Sequence, residues 1–133
     1  MKRNFKIEHG VEIWKDYIFI DLHNLYELNK IILSKANKLL YIIFCRNKYP
    51  EPKSLKLPSK TMFVFRGIQH IEISDNFYNR DIKQLEEIGF KSPNDQNLDW
   101  LIPEAKSEKD DHIIFRFEED EYIRISCDEA HFR

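Results

Sequence analysis

Apolar positions along this chain fall mostly into short runs of β-branched and aromatic residues separated by polar breaks, the signature of strands joined by turns. Val11-Glu12-Ile13-Trp14 and Tyr17-Ile18-Phe19-Ile20-Asp21-Leu22, with Lys15-Asp16 between them, predict a β-hairpin. The next stretch fits two periods. Leu22, Leu25, Leu28 and Ile32 would line one face of a helix, whereas Tyr26, Leu28 and Ile32 fit one face of a strand. The break Ser34-Lys35-Ala36-Asn37 decides for the strand, because it links Ile31-Ile32-Leu33 to Leu39-Leu40-Tyr41-Ile42-Ile43-Phe44 as a hairpin would.

Residues 47–59 carry Pro50, Pro52 and Pro58 among lysines and are expected to form a surface loop, since proline cannot donate to a ladder. Thr61-Met62-Phe63-Val64-Phe65 and Ile68-Gln69-His70-Ile71-Glu72-Ile73 read as a strand pair around Arg66-Gly67, where glycine permits a bulge or a tight turn. Asp81 is placed to cap a short helix over Ile82–Ile88, with Ile82, Leu85 and Ile88 as its apolar stripe and Gly89 as its stop. From Lys91 to Asp111 the chain turns polar and acidic around Trp100-Leu101-Ile102-Pro103, a long loop pinned at its apolar island. Ile113–Phe117, the turn Glu118–Glu121 and Tyr122–Cys127 close the chain as a hairpin, with Phe115, Phe117, Ile123 and Ile125 facing the core. The expected fold is α+β, a mainly antiparallel sheet of hairpins with one short helix, in a single domain over residues 1–133.

Composition narrows the class. The chain is 42% hydrophobic, 14% aromatic and 33% charged with only three glycines, which places it among globular proteins rather than disordered ones. The start Met1–Lys6 leads into no apolar segment, so no signal peptide is expected; the most apolar run, Leu39–Cys45, is far short of the ~20 residues of a membrane helix. A cytoplasmic location follows as the expectation, with Cys45 and Cys127 as reduced, mostly buried thiols.

The net charge of −2 conceals an asymmetry. Residues 1–66 hold 13 basic and 6 acidic side chains, residues 67–133 hold 8 and 17, so the halves stand at +7 and −9. An acidic surface argues against nucleic acid as partner and for a basic protein.

No catalytic constellation is visible. The histidines His9, His23, His70, His112 and His131 lack the local pairings of a metal site, although His70, His112 and Cys127 could meet from neighbouring strands. No nucleophile elbow or phosphate-cradling loop occurs, and the alternating Phe63, Phe65, Phe115 and Phe117 suit a core better than a base-stacking platform. Neither an enzyme activity nor a cofactor is expected. The one stretch whose composition suits a partner is the acidic loop. There Asp95, Asp99, Glu104, Glu108, Asp110 and Asp111 surround Trp100, which serves either as an anchor within a ring of charge or as a core plug beneath a solvated loop.

Phe65-Arg66-Gly67, Leu85-Glu86-Glu87-Ile88-Gly89-Phe90, Asp99-Trp100-Leu101, Asp111-His112, Phe115-Arg116-Phe117-Glu118 and Ile123-Arg124-Ile125 carry a resemblance. With Tyr17–Asn24 they are similar to small bacterial immunity proteins that accompany polymorphic or contact-dependent growth-inhibition toxins, over about half of the chain. These are strand, helix and turn patterns rather than chemical signatures. The resemblance implies a cytoplasmic protein that binds a cognate toxin domain and blocks it without catalysis; it carries over no partner-binding residue. The competing readings are a small adaptor that recognises a peptide or ligand by a sheet edge or aromatic face, and an enzyme of undescribed type. Exposed strand edges also permit self-association.

Overall fold

A computed structural model describes residues 1–47 and 56–133. Among the described residues there are ten strands: β1 (Lys2–Arg3), β2 (Lys6–Glu8), β3 (Glu12–Lys15), β4 (Ile18–Asp21), β5 (Tyr26–Ser34), β6 (Leu39–Arg46), β7 (Lys60–Ile73), β8 (Leu85–Lys91), β9 (His112–Phe117) and β10 (Tyr122–Phe132). The described residues contain no α-helix; 3-10 turns lie at Phe77–Asn79, Glu104–Lys106 and Glu118–Asp120. The antiparallel character is as expected from the sequence, whereas the helical component of an α+β fold is not found.

Six strands form one antiparallel sheet in the order β5-β6-β7-β10-β9-β8, and β1 joins it in parallel beside β10. It consists of two meanders, β5-β6-β7 and β8-β9-β10, sealed by the long β7–β10 ladder. Strands β2-β3-β4 make a separate small sheet. Its inner row, Ile7, Ile13 and Ile20, is buried in the same cluster as Phe44, Phe63, Phe65, Ile88, Phe115, Phe117 and Ile125 of the large sheet. The small sheet therefore covers one face of the large one, and the core lies between them. Phe63 sits at its centre, edge-on to Phe5 at 5.3 Å and to Phe115 at 5.0 Å between ring centroids, the T-shaped geometry that aromatic quadrupoles favour.

Three expectations are corrected, two of them by bulges. The segment over Ile82–Ile88 is not a helix. Strand β8 begins at Leu85, and its register against β9 shifts between Leu85 and Glu87. That bulge puts Leu85 and Ile88 on one face at a separation of three, imitating a helical stripe. In β5 the register shifts between Leu28 and Lys30, so Ile31 and Leu33 follow Leu28 toward the core while Ile32 turns out, 44% exposed. Residues 61–73 are one continuous strand rather than a pair. Gly67, at φ 67°, lies opposite Asp128, and a Cβ there would come within 2.2 Å of that carboxylate, so any other residue would be strained and would displace the Asp128 side chain.

The hairpins of β3-β4, β5-β6 and β9-β10 form, but the β3-β4 turn is Asp16-Tyr17 rather than the expected Lys15-Asp16, because Lys15 still pairs with Ile18 in the ladder; Phe115, Phe117, Ile123 and Ile125 are all buried. Within the expected loop 47–59, residues 48–55, with Pro50 and Pro52, lie outside the described residues. The outer edge of β8 is covered: Ile88 donates to the Gly10 carbonyl at 2.5 Å, and Phe90 and Ile102 exchange backbone hydrogen bonds at 2.8 and 2.9 Å. Covering an edge in this way removes a template for unwanted strand pairing.

Candidate functional site

On the large sheet's outer face, away from the small sheet, alternation places Gly89 and Lys91 of β8, His112 and Ile114 of β9, and Arg124 of β10. Two of these are cations with almost no exposure. Lys91 has a side chain 0% exposed, and Arg124 is 2% exposed. Buried charge requires compensation, and the loop 92–100 supplies it. Arg124 donates to the carbonyls of Asp95 (2.7 Å), Ser92 (3.0 Å) and Pro93 (3.3 Å), and through Nε to His112 Nδ1 (2.8 Å). Lys91 Nζ lies 3.4 Å from the Asp95 carboxylate and 3.2 Å from the centroid of the Trp100 ring, a cation–π contact. Gly89 lets the loop cross close by, since a Cβ there would stand 2.5 Å from Leu101 Cβ.

The seven residues singled out in the sequence divide into two groups. Asp95, Glu104 and Asp111 hold the loop together. The Asn97 N–H, working against partial burial and helped by Lys91, keeps the Asp95 carboxyl below the ordinary carboxylate range. Burial pushes Glu104 up, but Arg3, Ile7 N–H and Ser107 together bring it below its usual value. The Arg3 fork reaches both its oxygens at 2.6 Å. Asp111 is buried and accepts the Glu108 N–H at 2.8 Å. Asp99, Trp100, Glu108 and Asp110 face outward. Trp100 is 53% exposed, so it is not a core plug; Leu101 and Ile102 pin the loop instead.

Sequence reasoning missed a second feature. On the small sheet's outer face Trp14 and Phe19 stack at 4.9 Å, 36% and 49% exposed, with the turn residue Tyr17 beside them 93% exposed; Ile18, 49% exposed, alternates to the other face with Ile20. The alternation of the β3-β4 hairpin marks Trp14 and Phe19 as facing away from Ile13 and Ile20, the one signal that could have found them. The two half-exposed tryptophans thus sit on opposite sides of the sandwich.

His70 and His112 do meet, their rings stacked at 5.3 Å, but Cys127 belongs to the inner core cluster. Among the described residues no three His, Cys, Asp or Glu side chains are arranged to hold a metal ion. Cys127 and Cys45 are both free thiols, Cys127 buried and Cys45 half-buried; burial pushes the Cys127 thiol up to about 12, far from a reactive thiolate. No helix among the described residues is long and apolar enough to cross a membrane. Comparison of the chain with protein families, with curated proteins and with solved structures finds no match in any of the three.

Proposed function

We propose that this chain is a stoichiometric inhibitor of immunity type, which binds a cognate toxin domain in the cytoplasm of the cell that makes both and blocks it without turnover. The observation that carries the reading is the outer-face loop. Trp100 is held half-exposed over the buried Lys91 ammonium, with the outward carboxylates Asp99, Glu108 and Asp110 on the same loop. Clamping by Arg124 and Asp95 means that little loop entropy remains to be lost when a partner docks. A half-exposed tryptophan on a clamped loop suits the part of an affinity anchor, and exposed carboxylates on the same loop suit the part of charges that set the rate of encounter.

A basic toxin, such as a nuclease, suits a loop of this charge, because acidic side chains both steer it and occupy the surface it would offer to phosphates. The test is coexpression with the product of the adjacent reading frame. The expected result is a one-to-one complex that survives purification and restores growth of cells making the toxin. Undiminished toxicity, with no complex recovered at low salt, overturns the reading.

A further inference from the structure

The β3-β4 hairpin is a local exception to the rules its own turn should obey. A two-residue hairpin turn with positive φ at both positions ordinarily takes Asn-Gly or Asp-Gly, because a Cβ is disfavoured there. This one has Asp16 at φ 50° and Tyr17 at φ 65°. Tyrosine is a poor choice on backbone grounds, and at 93% exposure its ring contributes nothing to the core. Positive φ also occurs at His9, Lys38, Glu119 and Asp120, all polar; what sets this turn apart is the bare aromatic ring it presents, which points to a contact outside the chain.

Beside the turn lies what such a ring fits. A shallow groove of about 340 Å³ is lined by Arg3, Phe5, Lys6 and Trp14 and closed by Lys15 and Asp16 at the hairpin itself. Its lining is mainly apolar and its rim carries Lys6 and Lys15. Knob and groove thus occur on the same hairpin, and so do a turn carboxylate and two ammonium groups, the ingredients of a surface complementary to itself.

We infer that the protein self-associates through this hairpin as a two-fold dimer. Tyr17 of each copy enters the groove beside Trp14 of the other, and Asp16 of each meets Lys6 or Lys15 of the other. Two-fold symmetry makes every such contact twice, and Phe19, stacked on Trp14, is covered in the process. The surface lies across the sandwich from Trp100, so each copy keeps its acidic loop free. The inference is independent of the toxin-neutralising reading, since it concerns the protein alone.

Sedimentation equilibrium of the purified chain, from micromolar to millimolar concentration, tests it. A monomer–dimer equilibrium is expected. Tyr17→Gly removes the knob while giving the turn the residue its φ favours, so folding is retained and dimerisation should weaken by about tenfold or more. Asp16→Asn keeps a residue that tolerates the turn and removes its charge. It should weaken the dimer several-fold and flatten its salt dependence. A chain that stays monomeric throughout the range overturns the inference, and so does a dimer that Tyr17→Gly leaves unchanged. Loss of toxin binding in a Tyr17→Gly chain that is monomeric like its parent also overturns it, by assigning the hairpin to a different partner.

Discussion

Arg124 donates its Nε–H to Nδ1 of His112 at 2.8 Å, so His112 is held as the neutral ring whose proton sits on Nε2. Burial pushes its pKa below the ordinary value, the Arg124 and His70 charges add to the effect, and Asp111 and Glu72 oppose it. A histidine with a depressed folded pKa binds its proton more readily when unfolded, so stability falls as pH drops below the unfolded value of about 6.5 and levels off below the folded one. The thermal midpoint should therefore decline as pH falls below about 6.5. In His112→Gln, whose amide oxygen can accept the same Arg124 hydrogen bond, the decline should be shallower. An identical pH profile in that variant would refute the assignment.

Glu104 responds in a lower window. Its folded pKa lies below the usual glutamate value despite burial, because Arg3, Ile7 N–H and Ser107 all stabilise the anion. The stabilisation is thus complete above about pH 4.5 and disappears as pH falls through the depressed folded value. Glu104→Gln should cost roughly 1–3 kcal/mol at neutral pH and flatten the acid limb of a chemical denaturation series. A neutral-pH loss too small to measure would mean that the Arg3 pair contributes nothing.

Gly89→Ala should loosen the loop from the sheet, since the new Cβ would stand 2.5 Å from Leu101 Cβ and 3.2 Å from the Ile102 carbonyl. Crowding of this kind costs about 1–3 kcal/mol. Amide exchange at Phe90 and Ile102, which bond to each other, should accelerate more than exchange at Ile123 or Ile125 on β10. Uniform acceleration would indicate global destabilisation alone.

Gly89 also explains where the sequence misleads. Placed after Ile82, Leu85 and Ile88, it resembles a helix stop, yet it is a strand residue bared for a crossing loop. A bulge inserts one extra residue between positions that alternate in twos, so Leu85–Ile88 and Leu28–Ile31 recur at three, and a period count cannot separate a bulged strand from a short helix. Where strands run unbroken, as in β9 and the start of β10, alternation alone identified Phe115, Phe117, Ile123 and Ile125 as core. Site geometry was less legible. Which loop carboxylates face outward depends on Arg3 lying 101 residues from Glu104 and Arg124 lying 29 from Asp95, pairings that no local pattern encodes.

Phe117 is 2% exposed, edge-on to Phe77 at 5.3 Å and stacked with Phe44 at 6.5 Å. Truncating a ring enclosed on both sides leaves a cavity that the two neighbours cannot fill without losing their own contacts. Phe117→Ala should cost about 3–5 kcal/mol in urea denaturation with an unchanged slope. A loss under about 1 kcal/mol would be that of a surface ring.

On the proposed docking of a toxin at the acidic loop, the outward carboxylates and Trp100 should make separable contributions to binding. Exposed charges at an interface rim act mainly on the encounter, so Asp99→Asn, Glu108→Gln and Asp110→Asn together should slow association with the cognate toxin several-fold at low salt. Dissociation should change little, and folding should be preserved, because none of the three side chains is buried. Glu104 and Asp111 are kept intact, since neutralising either disturbs the Arg3 pair or the Glu108 turn and would confuse docking with stability. Trp100→Ala should act on dissociation instead, and its thermal midpoint must be measured in parallel because the ring also covers Lys91. Trp100→Phe retains a weaker face over the ammonium and should recover part of the affinity. If the triple amide variant associates with the parent's rate and salt dependence, and Trp100→Ala dissociates no faster at matched stability, this loop is not the docking surface.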